Sequence, residues 1–376
     1  MITKLKIANF KSHKDTVLNL GNLTLLTGLN SSGKSSVIQT FLLLRQSFKK
    51  GRLSKGLDLN EPLCDIGKGF DALYQYANNS EIISFTWETS SNQKHLFSFD
   101  THGKYDDSFL PVTEEIKLSN ELLSLPVFSN NFQYLSAGRI AGIEFYPIDS
   151  FSVEEEMQIS RNYGQGELVA HFLEYYGNNR NFNVSSDLLL HNSSRSKKLI
   201  DQVIAWEQEI SPRLSIKTEK IADKITIEFG YKGEDDTVPL SKIKSKNIGF
   251  GISYSLSIVV AILSASPGAL LLIENPEAHL HPRGQSKLAE LICLAAQSGI
   301  QLIVETHSDH IFNCIRKSIN SGLLEKQNVR VHYFQMSGQN TTVSTEIEIS
   351  EKGRIANHVS GLFDQFDNDL DELIGL

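Results

Sequence analysis

The segment LTLLTGLNSSGKSSVIQTFLLLRQSF, residues 23–48, constrains the fold more than any other part of the chain. It opens on a nearly continuous apolar run of the kind buried in a sheet covered on both faces. A glycine-bounded loop follows, and then a helical pattern in which Val37, Phe41 and Leu44 share one face. Gly28, Gly33, Lys34 and Ser35 match G-x-x-x-x-G-K-[ST]. In such a loop, here Gly28 through Asn30, Ser31, Ser32 and Gly33 to Ser36, backbone N–H groups face phosphate oxygens. The lysine reaches the β and γ phosphates, and the Ser35 hydroxyl is placed to bind Mg²⁺. A glycine turn with a solvated lysine is the plain alternative. The position between a buried strand and an amphipathic helix weighs against it.

Composition narrows the class. The chain has 376 residues, 40% of them hydrophobic and 21% charged, enough for one large or two ordinary globular domains. A net charge of -8 argues against coating nucleic acid with the whole surface, so any DNA contact must be focal. Cys64, Cys293 and Cys314 are scattered, without the spacing of a disulfide frame or zinc site, which suits a reducing cytoplasm. The opening MITKLKIANFKSH alternates like a strand and does not resemble an export signal. The most membrane-like stretch, residues 254–273, is interrupted by Ser264, Ser266, Pro267 and Gly268. It reads as a buried helix, a turn and a buried strand, and no membrane partner is expected.

Along the chain, residues 2–8 and 23–27 read as strands, and 80–110 as short aromatic strands of an antiparallel lobe. Residues 153–177 and 196–210 look helical, and Ile225, Ile227 and Phe229 alternate as a strand. From 248 onward helix and strand alternate, which predicts a parallel sheet layered with helices. The expected fold is α/β: a P-loop head with a mostly parallel helix-covered sheet, an antiparallel β lobe and a helical insertion. As one domain over 1–376, it divides into a P-loop lobe at 1–75, the β lobe and insertion at 76–245, and a second lobe at 246–376.

Two further strand ends carry acids or histidine. LLLIENPEAHLHP puts Glu274 at the carboxyl edge of a buried strand, where this kind of fold gathers Mg²⁺ and phosphates. QLIVETHSDH ends another buried strand at Thr306 and His307, suited to a side chain facing the γ-phosphate. Alone, His307 would be an ordinary hydrogen-bonded histidine; the order phosphate loop, acid-ending strand, histidine-ending strand favours a role in the site. His279, His281, His307 and His310 with Asp309 could also suggest a transition-metal site. Asp364, Asp367, Asp369 and Asp371 read as the solvated face of an acidic helix.

Together, IANFKSHKDTVLNLGNLTLLTGLNSSGKSSVIQTFLLL, IENPEAHLHPRGQSKLAELI, VETHSDHIFNCIR and the tail GRIANHVSGLFDQFDNDLDELIG carry a resemblance. The opening resembles the Rad50, SMC and RecF group of ABC-type ATPases, and the rest is similar to ATPases with the C-terminal domain DUF3696. The resemblance covers the first 70 residues and everything from about 245 onward. It implies ATP and Mg²⁺ as ligands, with Ser35 and Glu274 on the metal, and a head-to-tail homodimer or higher oligomer with ATP between the subunits. NIGFGISYSL would then be the signature turn, with Gly249, Gly251 and Ser253 approaching the partner's γ-phosphate. The same residues also read as a glycine-rich bend packing on the sheet. Asn30 would face the γ-phosphate, and Lys11 with Ser12 the phosphates and base; a solvated turn is the alternative for that pair. Asp65 and Gly67 fall where the glutamine loop belongs, with Gln75 further along.

In these ATPases the residue after the strand acid is usually a glutamate that handles the attacking water. Here it is Asn275, which can position water but cannot take its proton. Glu277 is the nearest replacement. The expectation is slow hydrolysis, with catalysis resting on Glu274, Asn275, Glu277 and His307. About 70 residues follow His307, too few for the nuclease domain of overcoming-lysogenization-type ATPases. A separate nuclease or effector protein is therefore the expected partner, in genome maintenance or anti-phage defence. The alternatives are a nucleotide-sensing scaffold that does not hydrolyse, and a RecF-like DNA-binding factor using the basic runs KKGRLSK and SKIKSK.

Overall fold

The computed structural model describes residues 1–77, 82–231, 242–357 and 359–374, without the side chains of 365–368. Ser241 of the second basic run and the Asp367 side chain thus lie outside the described residues.

The main strands and helices, in chain order, are β1 (Ile2–Phe10), β2 (His13–Asn19), β3 (Leu23–Gly28), α1 (Lys34–Lys49), β4 (Ile82–Thr89), β5 (Lys94–Asp100), β6 (Phe132–Leu135) and α2 (Leu199–Ile210). They continue with β7 (Leu214–Ile221), β8 (Lys224–Tyr231), α3 (Phe250–Ser264), β9 (Leu270–Glu274), α4 (Pro282–Gln297), β10 (Gln301–Glu305), α5 (Asp309–Asn320), β11 (Val329–Met336), β12 (Thr342–Glu346) and α6 (Gln365–Ile374).

The central sheet has six strands in the order β12-β11-β3-β10-β9-β6, parallel except for β12. Because side chains alternate across a strand, Leu271 and Ile273 face one core while Leu270 and Leu272 face the other. The first core packs the sheet against α3, α4 and α5; the second packs it against α1 and the antiparallel sheet β2-β1-β4-β5. Phe41 of α1 stacks on Trp87 of β4 at 5.4 Å, sealing that second core.

The α/β architecture and the antiparallel lobe are as read from the sequence. The stretch 153–177 is not one helix. Short helical turns at Phe151–Glu155, Val169–Phe172 and Leu173–Asn179 flank an irregular segment. Gly164 and Gly166 have positive φ there, and Glu167 accepts from the Arg161 and Asn162 N–H groups and the Ser160 hydroxyl. A buried carboxylate thus satisfies backbone donors that a helix would have paired internally. Residues 254–273 fold as the predicted helix, turn and strand, and no described helix is long and apolar enough to cross a membrane.

Candidate functional site

The sheet's register brings Gly28, Glu305 and Glu274, the last residues of β3, β10 and β9, to one edge. From Gly28 the loop turns through positive φ at Ser31 (60°) and Gly33 (98°) into α1. A Cβ on Gly28 would lie 2.1 Å from the Phe334 carbonyl oxygen, so only glycine fits between the strands. Helix α1 starts with no side-chain cap and no acid in its first turn, leaving its N-terminal N–H groups to an anion.

Lys34 is buried and folds back over the loop, donating to the carbonyls of Gly28 (3.1 Å) and Leu29 (2.6 Å). Burial lowers its pKa, and Glu305 opposes that shift. Ser32 donates to Leu29 O at 2.7 Å. Beneath the loop, buried His13 bonds Gly33 O through Nε2 (3.0 Å) and Thr16 Oγ1 through Nδ1 (2.9 Å). Its pKa is pushed down to about 4, chiefly by burial, so it holds the loop as a neutral ring near neutral pH.

Ser35, the predicted metal-binding serine, donates to Glu305 Oε1 at 3.0 Å. Sequence reasoning passed over Glu305 in favour of Thr306 and His307. Strand β10 lies between β3 and β9, so Glu305 stands next to the loop and Glu274 one strand further away. Glu305 Oε2 is buried with no partner among the described residues. Burial, and then the charge of Glu274, push this carboxyl up to about 7. Glu274 instead accepts from Tyr134 OH (3.2 Å) and Ala137 N (3.1 Å), and Arg139 clasps the carbonyls of Glu274 and Asn275. Its pKa is raised by burial, against the pull of those donors and Arg139.

Asn275 takes a left-handed φ of 44°, and its N–H donates to Glu305 O at 2.8 Å. Its buried Oδ1 has no partner among the described residues. Both oxygens of Glu277 are engaged, by Thr306 Oγ1 (2.8 Å) and by the His307 N–H (2.7 Å). The His307 pKa is lowered by burial and then by the charge of Lys34.

A cleft of about 400 Å³ collects the loop residues Asn30 to Ser36 with Lys11, Ser12, Glu305 and His307. Glu274, Asn275 and Glu277 lie outside its lining. So do Gly249, Gly251 and Ser253. Gly249 precedes α3 in open space, and a Cβ on Gly251 would meet His279 O at 2.6 Å, while Ser253 is buried with no partner for its hydroxyl among the described residues. Phe250 is the exposed large apolar side chain of this turn. Asp65 and Gly67 close a turn on each other (3.2 Å) and do not line the cleft. Gln75 borders a second hollow that shares Lys11 and Ser12 with the first.

The histidines do not converge. His279 packs on Phe250 and Tyr254, His281 caps α4 by accepting from Arg283 N, and His310 sits 3.8 Å from Asp309. No metal-holding group of three His, Cys, Asp or Glu exists among the described residues. Mg²⁺ suits the cleft on other grounds: it takes one or two carboxylates plus phosphate oxygens, and Ser35 Oγ and the half-satisfied Glu305 are what the cleft offers.

A phosphate loop, one intervening strand and then a second acid-ending strand in a parallel sheet give the chain the α/β fold of a P-loop head of the SMC type. The model of the family described as "AAA domain, putative AbiEii toxin, Type IV TA system" matches residues 23–313, and the chain belongs to that family. Residues 324–373 match the "Protein of unknown function (DUF3696)". Among curated proteins, the Old nuclease of Escherichia phage P2 is 22% identical over 344 residues, covering 82% of this chain. The chain spans 56% of that relative's length. Among solved structures, an SMC head bound to the C-winged helix domain of ScpA matches with TM-score 0.57 at 14% identity, covering 93% of this chain and 98% of that one. An Smc head with an extended coiled coil, bound to the C-terminal domain of ScpA derived from Pyrococcus furiosus, matches with TM-score 0.53 at 12% identity over 99% of both chains. These likenesses establish the fold.

Proposed function

We propose that the protein binds ATP with Mg²⁺, hydrolyses it slowly, and closes head to tail on a second copy to control a nuclease or DNA-processing partner. Genome maintenance or anti-phage defence in the cytoplasm is the setting this implies. The observation that carries the reading is the 400 Å³ cleft, in which Lys34, Ser35 and Glu305 meet a helix N-terminus.

Lys34 exchanges its two carbonyl partners for phosphate oxygens, and the loop N–H groups orient the chain of phosphates. Mg²⁺, held by Ser35 and Glu305, would neutralise charge on those oxygens. Asn275 positions the water through its amide oxygen, which has no partner among the described residues, without accepting a proton. Glu277 is disfavoured as a base, since its two oxygens brace Thr306 and His307 and it lies outside the cleft lining. Phosphoryl transfer depends mainly on positioning and electrostatics, so turnover survives at a reduced rate.

The signature turn is absent from the cleft of its own chain, and Phe250 is exposed beside it, which favours a second copy completing the site. The similarity to a nuclease across 82% of the chain supports the partner's class. Free thiols at Cys64, Cys293 and Cys314 suit a reducing compartment. The engaged state of Glu277 also favours a second reading, a nucleotide sensor that does not hydrolyse. Direct DNA binding gains less. Lys50 and Arg52 pair with Asp58, and Lys244 and Lys246 with Glu144.

Steady-state phosphate release with light scattering tests the proposal. ATP with Mg²⁺ should double the mass, and turnover should stay well below the roughly 10 s⁻¹ typical of enzymes. Fast turnover by a species that stays monomeric would overturn it, and dimerisation with no phosphate release would select the sensor reading.

A further inference from the structure

The segment matched as a protein of unknown function contains β11 and β12. Strand β11 runs parallel to β3 from Val329 beside Leu23 to Phe334 beside Gly28. The turn joining β11 to β12 therefore emerges at the same edge as the phosphate loop. Ser337 and Thr341 close it with a backbone bond of 2.9 Å.

Thr342 ties this turn to the loop. Its N–H donates to Ser12 O (2.8 Å), and its hydroxyl donates to Ser32 O (3.0 Å) while lying 2.7 Å from Ser12 Oγ. With its proton spent on Ser32, the Thr342 hydroxyl accepts from Ser12. A Cβ on Gly33 would lie 2.4 Å from Thr342 Oγ1 and 2.9 Å from both His13 Nε2 and Ser12 Oγ, so the loop is walled on this side. Thr341 Oγ1 lies 2.6 Å from Tyr74 OH. Met336, the last residue of β11, and Asn340 of the turn line the hollow of about 580 Å³ that shares Lys11 and Ser12 with the phosphate cleft; Tyr74 and Tyr105 line it too.

We infer that the β11–β12 turn of this segment of unknown function is the nucleoside-reading wall of the ATP site. The inference rests on reading the adjoining cleft as a phosphate site. Tyr74, Tyr105 and Met336 give the hollow aromatic and thioether walls suited to a flat purine, and the Asn340 amide offers both a donor and an acceptor to its edge. The hollow's volume lies in the range of small-molecule sites. Thr342 is a positioning residue: it touches no ligand and acts by holding the Ser32 carbonyl and Ser12. The turn thus couples base recognition to phosphate-loop geometry, so the C-terminal segment registers which nucleotide is bound.

Calorimetry on the full chain, with a non-hydrolysable ATP analogue and inorganic triphosphate as probes, tests this. Asn340→Ala, at the turn's tip, should weaken the analogue about tenfold and leave triphosphate within about twofold, since only the base is lost from recognition. Thr342→Val should weaken both probes about five- to tenfold, and Thr342→Ser, which keeps the hydroxyl, should restore both. Equal effects of Asn340→Ala on the two probes, no effect on either, or failure of Thr342→Ser to rescue, would overturn the inference. Lys34→Ala separates the two levels: if it binds both probes like wild type the phosphate-site reading itself fails, whereas if it binds neither, an inert Asn340→Ala refutes the base wall alone.

Discussion

The phosphate loop and the acid edge beside it are built to opposite standards. In the loop, polar groups already have protein partners: Lys34 on two carbonyls, Ser32 on Leu29, His13 under Gly33. At the acid edge, Glu305 Oε2 and Asn275 Oδ1 are buried with none among the described residues. Each such atom costs about 1–3 kcal/mol, a cost relieved when a cation, water or ligand arrives. The loop is thus held by the protein itself, while the edge proposed to handle charge and water keeps two buried acceptors without partners among the described residues. Binding and turnover should therefore respond to different residues.

Lys34→Ala should break the loop's side of this contrast most sharply. Removing the buried cation should weaken an ATP analogue by more than about a hundredfold, read by calorimetry; unchanged affinity would end the assignment. Next comes Asn275→Glu, which restores a base at the edge. Basal phosphate release should rise, by up to about a hundredfold if the new carboxylate finds the water, with binding affinity little changed. A rate that does not move would point to the sensor reading.

Glu305→Gln should lower Mg²⁺-supported affinity about tenfold, and more than Glu274→Gln does, because Glu305 is the acid bonded to Ser35. The reverse ranking would return the metal to Glu274. Its pH dependence follows from a carboxyl raised from 4.5 to about 7. The folded state favours the protonated form, so its contribution to stability is present below about pH 4.5 and lost as pH rises through 7. Mg²⁺ binds the ionised form, so affinity should run the other way, rising between about pH 6 and 8. Titrations of wild type and Glu305→Gln across that range check both signs.

At the signature turn, Phe250→Arg should reduce ATP-driven association about tenfold by sizing chromatography, since an exposed apolar ring is replaced by a cation. Ser253→Arg would be a poorer test, because that side chain is buried and the change would disturb α3 itself. The smallest effect is expected from Glu277→Gln. One braced donor is retained, so the rate should fall no more than about threefold. Complete loss of phosphate release would instead make Glu277 the base.

How much was legible depended on distance along the chain. The loop was read in full because strand, glycine turn and helix are consecutive, and each imposes its own local pattern. The position of Asn275, one residue past the acid that ends a buried strand, was legible for the same reason. Glu305 stood in plain view at the end of QLIVE, yet nothing local distinguishes it from Glu274. The helix expected over 153–177 failed because periodicity carries no signal for a carboxylate such as Glu167 taking over backbone donors.

What the sequence alone determined was the class: an α/β head with a phosphate loop and an acid-ending strand, all written in runs of a dozen residues or so, whereas the strand expected to end at Thr306 and His307 stops at Glu305. Strand order was left to the tertiary structure. Hydrogen-bond pairing placed β10 between β3 and β9, and so handed Ser35 to Glu305 and left Glu274 with Tyr134. The same pairing laid β11 against β3 and brought Thr342, 307 positions beyond Ser35, onto the loop. A side chain's neighbours across a sheet are chosen by which strands share backbone bonds and which faces share a core, and a linear pattern encodes the faces but not the order.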